Sequence, residues 1–306
     1  MSDLSKADQF CPSPADHLLW NESAWFSFSI PEKLINGFIY YAFRPRMNLF
    51  IGGPAMWDPS GESSWNCLYY DWHHLQPMPK DAKKYDFQAS NSLAVKVIEP
   101  LQKYRIRYDK NGFQVDLEWT AVDRPHELQM KGAISHAASF HIEQCGRMRG
   151  EIRQGGRTHH VDCYSMRDTS YGVRDMSVIP SGSYFWGIGG PGSSFHAIAL
   201  GDGPQQQVVG GFLMRDGQMA SLVRGVRTTL QAGRYGPSQV MFEAEDSLGR
   251  KIAAKADLLS DFMFCGYPGL ATVWSLLRWN YEGTVVWGDN QEFCPPATFR
   301  QRVRSL

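Results

Sequence analysis

The stretch CYSMRDTSYGVRDM, residues 163–176, carries two Arg-Asp pairs, Arg167-Asp168 and Arg174-Asp175. In an extended chain, neighbouring side chains leave on opposite faces. Asp168 and Arg174 then share one face, while Arg167, Thr169 and Tyr171 share the other. A carboxylic acid in an apolar pocket holds its proton more tightly than one in water, which suits a general acid. A nearby arginine would fix its orientation. The same residues also suit a buried network in which each arginine satisfies an aspartate, and spacing alone leaves both readings open.

Partners for such an acid stand elsewhere in the chain. Glu22 precedes the first apolar alternation, and Tyr69, Tyr70, Trp72, His73 and His74 place aromatic and imidazole groups side by side. Glu143 stands just before a glycine-rich stretch and could anchor Arg147 or Arg174. Trp186, Phe195 and His196 could wall a pocket from the second half of the chain. Each of these also reads as an ordinary core or surface residue.

Other chemistries find little support. His73-His74 and His159-His160 are adjacent pairs, and on a strand adjacent side chains diverge, so neither pair chelates as a unit. The sequence has no H-E-x-x-H and no Cys/His spacing of the zinc kind, so no metal is expected. The run GIGGPG at 187–192 lacks a following helical pattern and reads as a β-turn rather than a dinucleotide loop. Neither G-x-S-x-G nor G-K-[ST] occurs. The expected chemistry is cofactor-independent.

The elements that must position these residues are strands. Period-two alternation recurs at 25–30, 38–43, 93–98, 104–108 and 113–119, the last two joined by the Asn111-Gly112 turn of a hairpin. It returns at 182–189, 194–200, 208–213, 239–246 and 251–256; the stretch 271–277 fits a short helix or a strand. So many short strands predict an all-β protein built as sandwiches or barrels. The 306 residues exceed one small barrel, and tight glycine turns near Gly146, Gly150 and Gly155-Gly156 suggest a seam at 145–180. We therefore expect two antiparallel β domains packed together, 1–150 and 151–306, with the 163–176 stretch as a polar hinge at their junction. Lysine plus arginine equals aspartate plus glutamate at 31 each, which gives no reason to expect nucleic acid as a partner. No run approaches the roughly 20 apolar residues that span a bilayer, and residues 1–20 lack a hydrophobic signal core, so a cytoplasmic protein is expected. Nothing in the pattern fixes an oligomeric state.

Four pieces of the sequence resemble the carotenoid 1,2-hydratase superfamily in the broad sense that takes in AttH-like and kievitone-hydratase-like proteins. They are Glu22-Ser23-Ala24-Trp25-Phe26, the stretch EPLQKYRI at 99–106, EQCGRMRGEI at 143–152, and RDTSYGVRD at 167–175. The last is similar to a family segment R-D-H-S-W-G-x-R-D, with Thr169 in place of histidine and Tyr171 in place of tryptophan. The resemblance implies two lipocalin-like domains and a hydratase or dehydratase acting on an alkene or alcohol of an apolar terpenoid or phenolic substrate. In that picture an aromatic-lined cavity lies near the domain junction, and Asp168 gives the proton. His74, His73 or Tyr171 handles the water, and Arg174 holds the Asp168 carboxylate. Trp72, Tyr70, Trp186, Phe195, His196, Glu22 and Glu143 contact substrate. An isomerase or pericyclic cyclase, or a protein that only binds an apolar small molecule, fits the same residues.

Overall fold

The computed structural model describes residues 4–12, 17–267 and 269–304. The chain divides into two compact units. The first comprises Met1–Ile30, Gly37–Met56 and Tyr69–Asp175; the second comprises Pro31–Asn36, Trp57–Leu68 and Met176–Leu306. The expected division at 150 would cut a strand. The observed one follows Asp175, because the hairpin spanning 140–173 belongs entirely to the first unit.

The first unit is built on an open antiparallel sheet. Its strands are β1 (Trp20–Ile30), β2 (Ile35–Arg44), β3 (Leu49–Trp57), β4 (Tyr69–Tyr70), β5 (His73–Pro77), β6 (Asp86–Gln88), β7 (Ala94–Glu99), β8 (Lys103–Lys110), β9 (Phe113–Ala121), β10 (His126–Glu127), β11 (Phe140–Gln154) and β12 (Arg157–Val173). They follow the order β4-β3-β2-β1-β12-β11-β9-β8-β7-β6, with β5 on β3 and β10 on β11. Alternation decides the faces. In β9, Phe113, Val115, Leu117 and Trp119 are buried, while Gln114 and Asp116 face solvent. The buried rings of Phe26, Tyr85, Tyr104 and Trp119 meet at centroid distances of 4.8–6.1 Å in mostly edge-on or tilted contacts, the arrangement that ring quadrupoles favour.

The stretch expected as a hinge is instead the C-terminal half of β12, a strand of 17 residues paired on both edges, with β1 and with β11. Its backbone groups therefore bond within the sheet, so the polar side chains stand on a rigid ladder.

The second unit is a closed barrel of β13 (Gly182–Gly190), β14 (Ser193–Leu200), β15 (Gln205–Arg215), β16 (Gln218–Ala232), β17 (Pro237–Asp246), β18 (Lys251–Phe264), β19 (Ala271–Tyr281) and β20 (Thr284–Cys294). Each strand pairs with the next, and β20 closes onto β13. The stretch 271–277 is thus strand. Phe185, Phe195, Phe242, Trp279 and Tyr281 fill the interior. After the barrel comes α1 (Pro296–Arg304), which the strand pattern did not announce; Pro296 at its first position is the signal for a helix start.

Candidate active site

The β11–β12 hairpin sets the geometry. Gly155 and Gly156 close it with φ of 55° and 79°, the pair of positive values that a type I′ turn requires. With Gln154 opposite Arg157, the register runs without a bulge to Phe140 opposite Tyr171. Asp168 consequently faces Glu143, and Ser170 faces His141. On the other side β1 sets Trp25 against Asp168 and Ser23 against Ser170, while β10 sets His126 against Glu143. Trp25, Asp168, Glu143 and His126 thus form a row across four strands on one face of the sheet.

Ligand atoms of His141, Glu143 and Asp168 lie within 4.8 Å of one another. His141 Nε2 bonds Glu143 Oε1 at 2.5 Å, and the Ser170 and Ser23 hydroxyls are 2.8 Å apart. Glu143 is fully buried, whereas Asp168 and His141 keep some exposure. Burial pushes the Asp168 carboxyl up to about 7, against the pull of His141; Glu143 adds to the rise, and Arg174 and Lys84 oppose it. Burial lowers the His141 imidazole to about 4, although Asp168 works the other way. His126 is likewise lowered to about 4 by burial and by Arg124. At neutral pH the cluster therefore offers neutral imidazoles beside a carboxyl poised to gain or lose a proton. The same three side chains have the donor types of a divalent-metal site.

Arg174 follows β12 and reaches back over this face. Its Nε donates to the Ala137 carbonyl at 2.9 Å, Nη1 to the Tyr40 hydroxyl at 2.9 Å and Nη2 to the Ser170 hydroxyl at 2.6 Å. Tyr40 packs on Trp72 with centroids 5.0 Å apart, and His74 meets Trp72 edge-on at 6.0 Å. An aromatic wall thus begins at the guanidinium.

The opposite face of β12 holds a different set. Arg167, Thr169 and Tyr171 face Phe26, Ala24 and Glu22 of β1. Glu22 and Lys84 form a fully buried ion pair at 3.1 Å, and Glu22 also accepts from the Cys11 amide and the Trp20 indole. Tyr171 stacks between Phe140 and Trp20. Thr169 donates its hydroxyl to the Ser23 carbonyl at 3.0 Å. The sheet therefore separates Tyr171, Glu22 and the Thr169 position from Asp168, and these cannot act on the same substrate atom.

The remaining expected site residues scatter. His73 pairs with Asp71 at 2.6 Å and lies 3.1 Å from Lys110, in a network that joins the start of β5 and the β4–β5 connection to the end of β8. Tyr70 pairs with Ala55 at the end of β3. Phe195 is not a pocket wall: its ring is buried in the barrel against Phe242, Trp279 and Tyr281. Trp186 and His196 are cross-strand partners pointing from the other side of the barrel wall, with His196 4.5 Å from the Tyr184 ring. The cluster itself lies wholly within the first unit. His141, Ser170, Ser23, Tyr40 and His126 were missed in the sequence. His141-x-Glu143 was legible as a same-face pair once the Gly155-Gly156 turn fixed which residues oppose it.

Residues 5–291 match the family described as a domain of unknown function, DUF7064. The chain belongs to that family. No curated protein matches it. Among solved structures, a provisionally named AttH from Nitrosomonas europaea shares this DUF7064 fold with a TM-score of 0.58 over 90% of each chain, at 14% identity. CghA, solved with Sch210972, does so at 0.51, covering 90% of this chain and 88% of its own, at 8% identity. Identities this low establish a distant structural relationship, and the fold alone.

Proposed function

We propose that this DUF7064 chain is a cofactor-independent hydro-lyase that adds water to, or removes it from, an alkene or alcohol of an apolar terpenoid or phenolic substrate. One observation carries the reading. Asp168 is a partly exposed carboxyl held near 7, with a neutral histidine and a buried glutamate in its immediate cluster. In hydration the Asp168 proton goes to the alkene carbon. Water supplies the hydroxyl, and its released proton passes to His141. With His141 donating from Nε2 to Glu143, Nδ1 is the acceptor for that proton. Transfer back to Asp168 resets the site. Arg174 and Trp72 would orient the substrate beside the acid, and the Tyr40 and Trp72 ring faces suit developing positive charge.

The test is turnover in ¹⁸O-labelled water of a panel of apolar terpenoid and phenolic alkenes and alcohols. Gain of one labelled water, or loss of water from the alcohol, abolished by Asp168→Asn, supports the proposal. A compound retained with unchanged mass and structure makes the protein a binder. A rearranged product of unchanged mass makes it an isomerase or cyclase, and either outcome ends the hydro-lyase reading.

A further inference from the structure

On the face of β12 that the proposed chemistry does not use, Arg167 is 1% exposed and its guanidinium lies over the rings of Tyr104, Tyr85 and Trp119 at 4.6, 5.4 and 5.4 Å. Its Nε donates to Gln144 Oε1 at 2.9 Å and its Nη1 to the Tyr85 hydroxyl at 3.0 Å. The carboxylate that balances it comes from outside the sheet. Asp8 of the N-terminal segment accepts from Arg167 Nη1 at Oδ1, 3.2 Å away. Its Oδ2 accepts from the Leu101 amide at 2.8 Å and from the Tyr104 hydroxyl. Three donors thus form a cradle for one carboxylate, and Arg167 Nη2 has no partner in it. The cradle belongs to β8, β12 and the turn before β8, whereas its occupant sits on an appended strip of chain.

The rest of that strip is held mostly by apolar contacts. Leu4 and Ala7 pack with Phe140, Ile142, Leu101 and Tyr171, and Phe10 meets Phe43 edge-on at 5.0 Å. Removing the strip would uncover an apolar trough in which Arg167 is the buried cation left without a carboxylate, since Lys84 keeps its own in Glu22. A cation so placed needs an anion, since leaving a buried charge unpaired is strongly unfavourable. A carboxylate replaces Asp8 charge for charge. A phosphate brings more negative charge than the one guanidinium offsets.

We propose that the trough occupied by residues 4–12 is a binding site for an apolar monocarboxylic acid, with Arg167 as its anchor and Asp8 as a built-in competitor. The ligand enters when the strip leaves, so its apparent affinity is reduced by the fraction of time the trough is open.

The test uses the full chain with cis-parinaric acid and its uncharged methyl ester as probes. In the wild-type protein, saturating acid should speed hydrogen exchange of the backbone amides in 4–12 by about tenfold or more, and the ester should leave them unchanged. Asp8→Asn, which weakens the competitor, should tighten acid binding by about tenfold or more. Acid that fails to bind, acid that binds without loosening 4–12, or an ester that binds as well as the acid each overturns the proposal. The exchange measurement needs no variant, so it decides the matter even where Asp8→Asn does not fold.

Discussion

Asp168 and Glu143 face each other across the β11–β12 ladder, each eleven residues from the closing pair of the Gly155-Gly156 turn, and only Asp168 retains exposure. Two carboxyls so placed resist ionising together. Burial is the main reason that Asp168 changes protonation near neutrality, and the facing Glu143 carboxyl adds to the rise.

Its titration must then appear in stability. An ordinary unfolded aspartate titrates near 3.9, and Asp168 in the folded chain near 7. Between these values the folded state binds the extra proton, so stability is greatest below the lower one and falls as pH rises to the higher. Asp168→Asn has no such proton. Relative to wild type it should melt higher at pH 8 than it does at pH 5, while any hydro-lyase turnover drops about 100-fold or more. Calorimetry at the two pH values checks the first point. An identical offset at both would mean that Asp168 titrates normally.

The family-like motif EQCGRMRGEI serves packing rather than chemistry at its glycines. A Cβ on Gly146 would stand 2.1 Å from the Trp119 ring, and one on Gly150 would stand 2.1 Å from the Asp116 carbonyl, where φ is already +139°. Gly146→Ala should cost about 1–3 kcal/mol through overpacking. It should leave the Asp168 titration unmoved, because Gly146 faces the Trp119 side. Chemical denaturation together with a carboxyl titration separates the two effects.

How far the sequence reached can be argued from β12. Period two put Arg167 and Asp168 on opposite faces, and the strand keeps them there. Alternation also identified strands in both units, most plainly where one face is buried and the other is not, as in β9 and β18. What alternation cannot supply is pairing between distant strands. Nothing local brings Trp25 beside Asp168, or Asp8 from an appended segment onto Arg167. Phe195 illustrates the same limit: an aromatic in a strand fits a barrel core and a pocket wall equally until the barrel closes. The β11–β12 register is local in origin, since a two-residue turn fixes every pair that follows it, yet the expectation of a seam at 145–180 passed over that hairpin.

The Glu22–Lys84 pair, both side chains at 0% exposure, makes a different forecast. Burial raises the Glu22 carboxyl and lowers the Lys84 amine, each against the attraction of the other. Glu22→Leu or Lys84→Met alone strands a charge in the interior and should cost about 3–5 kcal/mol. The double variant should cost clearly less than the sum of the two. Additive losses in a double-mutant cycle would show that the charges do not depend on each other.

Arg174 offers the sharpest probe of the site. Its three guanidinium nitrogens bond Ala137, Tyr40 and Ser170, and its charge helps to hold the Asp168 carboxylate ionised. Arg174→Gln removes a cation, and a carboxyl that loses a nearby cation binds its proton more tightly. The Asp168 titration should therefore move above 7, and any pH–rate profile limited by that acid should move with it in the same direction. Arg174→Lys keeps the charge but reaches fewer of the three acceptors. It should preserve most of the titration while loosening Tyr40 and the Trp72 wall. Carboxyl-labelled NMR of wild type and both variants reads this directly. A titration that is the same in all three would detach Arg174 from the acid and leave it as a clamp on the end of β12.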